Sequence, residues 1–187
     1  MDSEEVIARL ETFEGRVPHM YRCTGGDVTI GIGHALLAIG DVAALPWMIG
    51  NRPAAANEAQ ADFQKVAAAP MGLVAGKYAG LTQCRLSDSD ILQLARTDLE
   101  SFVTRLSAEL RNWNSYPNPV QAALFDMAFN LGIGGLKKFV KLLEAVDSGD
   151  WETAAQECHR RGVSEQRNDA VAALFWRAKS TQARAIG

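Results

Sequence analysis

Three side chains near the N-terminus have the types and spacing for hydrolytic chemistry. Glu14 is a carboxylic acid, Cys23 is a thiol and Thr29 is a hydroxyl. Hydrolysis of a bond to oxygen needs an acid that protonates the leaving oxygen and a group that activates or holds water. The stretch 14–34 is therefore the candidate active site, and the neighbouring elements must hold its side chains together.

The pattern before this stretch predicts a helix that ends at the candidate acid. Val6, Leu10 and Phe13 recur at helical spacing, and Gly15 ends the run. Glu14 is thus expected at the C-terminal end of a helix, where the helix dipole disfavours a carboxylate. A residue type that is unfavourable for its local structure indicates a functional role, which here applies to Glu14.

Residues 17–35 change to strand periodicity. Apolar residues alternate with small or polar ones from Val28 to Ile32, and the preceding Thr-Gly-Gly-Asp is typical of a turn. The pattern predicts a small β-hairpin or meander that carries Cys23 on one arm and Thr29 on the other.

The residues of this stretch resemble the motif of the phage-type lysozymes, the endolysin muramidases of glycoside hydrolase family 24. That motif has Glu-Gly, then Asp or Cys nine residues after the Glu, then Thr six residues further, within Thr-Ile-Gly-x-Gly-His. Glu14-Gly15, Cys23 and Thr29–His34 match it. The resemblance continues at 121–132, at 149–155 and at Arg167-Asn168, and it leaves out about 40–85, which looks like an expansion.

The resemblance implies a role for each matched residue of the motif. Glu14 would be the general acid, and Thr29 would position the attacking water or assist the second step. Cys23 stands where many members have Asp. Because free thiols are mostly neutral at neutral pH, a thiol supplies little of a carboxylate's charge stabilisation. Cys23 could be a nucleophile, a water ligand or a small buried thiol, and Asp27 could supply the missing negative charge.

Further residues would support the site. His34 looks like a structural residue of the family and would pair with Asp98 on the following long helix. Asn130 and Arg167 match positions that line the cleft, and Arg167 could pair with Glu14. Either of the two could equally be a structural contact. No spacing of His and Cys predicts a metal site, and no cofactor is implied.

The expected fold class is α+β, mostly α, and lysozyme-like, as a single domain over 1–187. Its parts would be a first lobe over about 12–88 with the β-hairpin at 17–35, a linking helix over about 88–110, and a helical lobe over about 111–187 together with the N-terminal helix. Periodicity predicts further helices over about 55–68, 117–131, 135–147 and 164–178. The expansion at about 40–85 would be a packed extension of the first lobe or a lid over the cleft.

Composition excludes several classes of protein. Hydrophobic residues make up 48% and charged residues 22%, with a net charge of −3, which excludes a disordered chain and a basic nucleic-acid surface. No apolar run approaches the ~20 residues of a membrane span. The acidic, amphipathic pattern of the first residues is not the one expected of a signal peptide. We therefore expect synthesis in the cytoplasm and action in the periplasm or cell wall after delivery by a holin or a secretion system.

The resemblance implies hydrolysis of the β-1,4 bond between N-acetylmuramic acid and N-acetylglucosamine in peptidoglycan. The protein would act on glycan strands as a monomer, as a bacteriolytic endolysin or as a secreted antibacterial toxin domain, with any delivery partner or immunity protein unidentified. Two alternatives remain open. One is a non-catalytic cell-wall-binding module in which Cys23 has replaced a needed acid, and the other is a chitinase-type glycosidase.

Overall fold

The computed structural model describes residues 1–186. The chain is mostly helical with a small antiparallel sheet, which confirms the predicted α+β class. It divides into two compact units: residues 7–98, here called the hairpin unit, and residues 1–6 with 99–187, here called the helical unit. Among the described residues, no helix combines the length and the apolar character that crossing a bilayer would require.

The sheet of the hairpin unit has three antiparallel strands in the order β1 (Val17–Arg22), β2 (Val28–Gly31) and β3 (His34–Leu36). The predicted meander is therefore present. All of β2 is buried, because it is the central strand. In the register, Tyr21 lies opposite Thr29, and Thr29 lies opposite Ala35.

Helix α1 (Ser3–Glu14) leads into this sheet. Gly15 adopts a positive φ of 75°, a conformation that favours glycine, and its N–H donates to the carbonyl of Glu11 at 2.9 Å. The helix thus ends at Glu14, as the sequence predicts. Arg16 turns back to form an ion pair of 2.7 Å with Glu11.

The segment between the sheet and the long helix is packed into the hairpin unit. It contains α2 (Ile39–Ala43), β4 (Met48–Ile49), β5 (Arg52–Pro53), α3 (Ala56–Ala68) and a 3-10 helix (Ala75–Leu81). Trp47 is buried, and its Nε1 donates to the carbonyl of Val42 at 2.7 Å. Leu86 N–H donates to the carbonyl of Pro18 on β1 at 2.9 Å. These contacts favour the packed extension over the lid.

Asp62 anchors this segment from the inside. The side chain is buried on α3, and its Oδ2 accepts the N–H groups of Gln83 at 2.6 Å and Cys84 at 2.9 Å. Burial acts to raise the pKa of Asp62, but these N–H groups and Lys65 outweigh it, so that its pKa lies below the ordinary value. The carboxylate therefore ties α3 to the strand-like segment before the long helix.

The remaining helices are α4 (Asp88–Glu109), α5 (Asn118–Leu131), α6 (Ile133–Leu136), α7 (Val140–Ser148), α8 (Trp151–Glu157) and α9 (Glu165–Ile186). Helix α4 begins as predicted, with Asp90 N–H donating to Ser87 Oγ. Residues 120–128 of α5 are all buried, which makes α5 the core of the helical unit.

Two predictions for these helices are wrong in extent. The helix predicted over 135–147 is two helices, α6 and α7, since Gly134 and Gly135 weaken the first turns and the chain leaves helical geometry before Val140. The last helix continues past Ala178 to Ile186, because good helix formers follow without Gly or Pro.

Candidate active site

Cys23 stands at the head of the turn that joins β1 to β2. Its N–H donates to the carbonyl of Asp27 at 2.9 Å, and its carbonyl accepts the N–H of Gly26 at 3.0 Å. A Cβ on Gly25 would lie 3.6 Å from the Cys23 Sγ, so the half-buried thiol lies against the turn. Cys23 is therefore fixed by backbone hydrogen bonds, and it lies in the turn, just beyond the strand arm where it was expected.

Arg22 holds this turn in place. Its Nε donates to the carbonyl of Gly26 at 2.9 Å, and its Nη1 donates to the carbonyl of Ala69 at 2.7 Å. The guanidinium thus fastens the turn beside Cys23 to the end of α3. This links the expansion at 40–85 to the candidate site, a connection that the sequence pattern did not indicate.

Thr29 lies in the middle of β2, with its side chain buried. Its Oγ1 donates to the carbonyl of Asp27 at 3.3 Å, which leaves the hydroxyl oxygen able to accept a further hydrogen bond. The side chain of Asp27 is exposed, and its carbonyl is the group that meets both Cys23 and Thr29. Both candidate residues are therefore oriented by the same carbonyl.

Tyr21 on β1 lies close to both the candidate acid and the candidate thiol. Burial raises the pKa of Tyr21 to about 12, with further contributions from the acidic groups of Glu14 and Cys23. Both groups therefore lie near the Tyr21 phenol, and the strand register places Thr29 directly opposite Tyr21. Glu14 and Cys23 thus lie near enough to Tyr21 to affect its pKa, and Thr29 is its partner in the strand register. The sequence pattern had not indicated Tyr21 as a site residue.

The Gly-x-Gly that follows Thr29 makes a tight turn between β2 and β3. Gly31 and Gly33 have φ values of 67° and 78°, and a Cβ on Gly31 would lie 3.3 Å from the Ile91 side chain on α4. The turn delivers His34 to the same helix, where its Nδ1 lies 2.8 Å from Asp98 Oδ2. The predicted contact between His34 and Asp98 is therefore present.

Comparison with known proteins decides the family. The family model described as phage lysozyme matches residues 11–180, a range that contains every candidate site residue. The chain belongs to the phage lysozyme family. It is also 30% identical over 158 residues to the pre-baseplate central spike protein Gp5 of Enterobacteria phage T4, in a match that covers 82% of this chain and 23% of Gp5. The chain thus spans about a quarter of that relative's length.

The other two candidate residues of this chain belong to the helical unit. Asn130 is exposed near the end of α5. Arg167 is buried on α9, and its Nε donates to Asp126 Oδ1 at 3.2 Å. The buried Arg160 donates to the same oxygen at 2.9 Å. Arg167 therefore has a structural partner, and its role toward substrate stays a prediction, as does that of Asn130.

No metal centre is found in the part of the chain that the structure describes: no three His, Cys, Asp or Glu side chains are grouped closely enough to hold a metal ion. The cysteines of that part are all unpaired thiols. Burial raises the pKa of both Cys84 and Cys158 to about 11, with the nearby Asp62 contributing to the rise at Cys84. These two thiols are therefore poor nucleophiles, whereas Cys23 is partly accessible.

Proposed function

We propose that this chain is a peptidoglycan hydrolase of the lysozyme type. The reaction is hydrolysis of the β-1,4 bond between N-acetylmuramic acid and N-acetylglucosamine. Membership of the phage lysozyme family supports the reaction class. The observation that carries the assignment to residues is the grouping of Glu14 and Cys23 beside Tyr21, with Thr29 opposite in the strand register.

Glu14 is the general acid in this proposal. It is a half-buried carboxyl at the end of α1, where the protein chain turns into the sheet. Glu14 protonates the oxygen of the leaving sugar, which a glycosidic bond requires because an alkoxide is a poor leaving group.

Thr29 and Cys23 act on the attacking water, on the other side of the glycosidic bond from Glu14. Thr29 Oγ1 is held by the Asp27 carbonyl and keeps acceptor capacity for the proton of a water molecule. Cys23 either orders the same water or attacks the sugar as a thiolate. The supporting residues His34 and Asp98 hold the sheet against α4, and Asn130 and Arg167 bind or orient the glycan.

The biological role that we propose is lysis of bacterial cells, as an endolysin or as a secreted antibacterial toxin domain. The protein acts in the periplasm or cell wall after delivery by a holin or a secretion system, as a monomer and without a cofactor. The similarity to a phage spike protein adds the phage particle as a further carrier for the same activity.

Digestion of purified peptidoglycan tests the proposal. The soluble products are separated and identified by mass spectrometry, and we expect fragments that end in reducing N-acetylmuramic acid. Fragments that end in 1,6-anhydro-muramic acid would identify a lytic transglycosylase instead. Binding to the wall without release of fragments would identify a binding module, and cleavage of chitin in preference to peptidoglycan would identify a chitinase-type enzyme.

A further inference from the structure

The segment 69–74, which follows α3, is fixed to the interior of the hairpin unit. The hydroxyl of Tyr78 donates to the carbonyl of Pro70 at 2.6 Å, and His19 Nε2 lies 2.9 Å from the carbonyl of Ala75, directly after the segment. Tyr78 and His19 are both buried. The segment is therefore held near each end by a side chain of the interior, although most of its own side chains are exposed.

Arg22 connects this segment to the turn that contains Cys23. Its Nη1 donates to the carbonyl of Ala69 at 2.7 Å, and its Nε donates to the carbonyl of Gly26 at 2.9 Å. Both acceptors are backbone carbonyls, and both donating nitrogens belong to one rigid plane. A single side chain of fixed geometry thus sets the distance between the segment and the turn.

Met71 lies against the same turn. The residue is 55% exposed, yet a Cβ on Gly26 would lie only 3.1 Å from its Sδ. Gly26 has a φ of 98°, a conformation that favours glycine, and it has no side chain that would keep the thioether away. The thioether of Met71 therefore packs on the backbone of the turn, whereas Leu73 and Val74 of the same segment are exposed.

The turn from Cys23 to Asp27 orients two candidate site residues. The carbonyl of Asp27 accepts the N–H of Cys23 at 2.9 Å and the hydroxyl of Thr29 at 3.3 Å. A displacement of the turn would therefore move the Cys23 thiol and release the Thr29 hydroxyl together. Misplacement of a reacting group by about 1 Å can lower a reaction rate about 10²-fold.

We propose that Arg22 and Met71 are positioning residues for the hydrolytic reaction. Arg22 holds the turn at a set distance from the segment 69–74, and Met71 packs against the backbone of the turn. Through the turn they fix the Cys23 thiol and the Thr29 hydroxyl, and they do so without contact with the substrate. This inference rests on the proposed function, and it gives the end of the expansion a part in that reaction.

The rates of peptidoglycan hydrolysis by Arg22→Lys and Met71→Ala test this inference. Lysine keeps the positive charge but has one nitrogen in place of the planar fork, so it cannot hold the two carbonyls in the same geometry. We expect kcat to fall about tenfold in Arg22→Lys and about threefold in Met71→Ala, with KM changed less than about twofold. A merely structural role would lower the melting temperature and leave the kcat of the folded protein unchanged.

Two further variants make the result specific to the contact with the turn. Met71→Leu keeps an apolar side chain of similar volume and should restore most of kcat. Val74→Ala shortens an exposed apolar side chain of the same segment and should leave kcat unchanged. A wild-type kcat in Arg22→Lys or Met71→Ala, a Met71→Leu variant as slow as Met71→Ala, or an equal loss in Val74→Ala would overturn the inference.

The rate at which iodoacetamide labels Cys23 measures the position of the turn without any hydrolysis. A released turn exposes the half-buried thiol more often, so labelling in Arg22→Lys and Met71→Ala should be about threefold faster or more than in the wild type. Val74→Ala should be labelled at the wild-type rate. Faster labelling in a chain that releases no peptidoglycan fragments would leave the positioning of the turn standing and refute the proposed function. Fragment release with wild-type kcat and wild-type labelling in both variants would do the reverse.

Discussion

His34 Nδ1 lies 2.8 Å from Asp98 Oδ2, which ties the first residue of β3 to helix α4. The histidine follows the Gly-x-Gly turn directly, and that turn itself packs on Ile91 of the same helix. The sheet that carries Thr29 is therefore fixed to α4 at two neighbouring points. On the basis of this contact we propose a structural role for His34, whose imidazole ring the Asp98 carboxylate orients.

Replacement of Asp98 should destabilise the protein. Asp98→Ala removes the charged acceptor from a partly buried histidine, so we expect the free energy of unfolding to fall by about 1 kcal/mol. Denaturant unfolding followed by circular dichroism measures the change. Asp88→Ala is the matched control on the same helix, because Asp88 is exposed and lies 3.9 Å from Arg16. Equal effects of the two substitutions would show that the His34 contact contributes no more than the long, exposed ion pair of Asp88.

Replacement of Asp62 should be more damaging. Asp62→Ala leaves the N–H groups of Gln83 and Cys84 without their acceptor inside the hairpin unit, so we expect a loss of about 2 kcal/mol or more. Asp41→Ala is the control, since the exposed Asp41 also accepts two backbone N–H groups. A loss no larger than that of the control would contradict the anchoring role.

The contribution of Asp62 should also depend on pH in a defined direction. Because the folded protein lowers the pKa of Asp62, its contribution to stability is present above the unfolded value of about 3.9 and is lost as the pH falls through the folded value. The difference in unfolding free energy between the wild type and Asp62→Ala should therefore shrink below about pH 4. A difference that grows on acidification would contradict this assignment.

Much of the fold follows from local sequence patterns, whereas the anchoring contacts of Asp62 do not. Periodicity predicts helix α1, its end at Glu14 and the alternation in β2, because each depends on residues that are only a few positions apart in the sequence. Asp62 lies among alanines on α3, and its partners are backbone N–H groups far along the chain, which have no sequence signature. Long-range contacts of this kind need the folded chain.

The candidate site also has one part that the sequence predicts and another that only the structure shows. The spacing of Glu14, Cys23 and Thr29 identifies the family motif. The proximity of Tyr21 to two of these side chains and the fastening of the turn by Arg22 are visible only in the structure.

The thiols should differ in reactivity. Cys84 and Cys158 are buried with pKa values of about 11, so few of their molecules are thiolates at pH 8, whereas Cys23 is partly accessible. Brief treatment of the folded protein with iodoacetamide at pH 8 should add one label, and peptide mass spectrometry should place it on Cys23. Labelling of Cys84 or Cys158 at a comparable rate would contradict the burial argument.

Substitution of Cys23 decides its role in the reaction. If the thiol orders water or attacks the sugar, Cys23→Ala should lower the rate of peptidoglycan hydrolysis about 10²-fold with little change in melting temperature. Cys23→Asp should keep much of the activity, because it restores the residue that many family members carry. A fully active Cys23→Ala would make the thiol a packing residue, and Asp27→Asn would then test whether Asp27 supplies the charge.

The rate of hydrolysis by Glu14→Gln tests the central claim most directly. Glutamine keeps the shape of the side chain and cannot donate the proton, so release of soluble fragments from purified peptidoglycan should fall by about 100-fold or more. Glu11→Gln is the control on the same helix, because Glu11 is paired with Arg16 and the proposed mechanism gives it no role. Near-normal activity in Glu11→Gln together with loss in a folded Glu14→Gln is the result that we predict. Wild-type hydrolysis by Glu14→Gln would contradict the account.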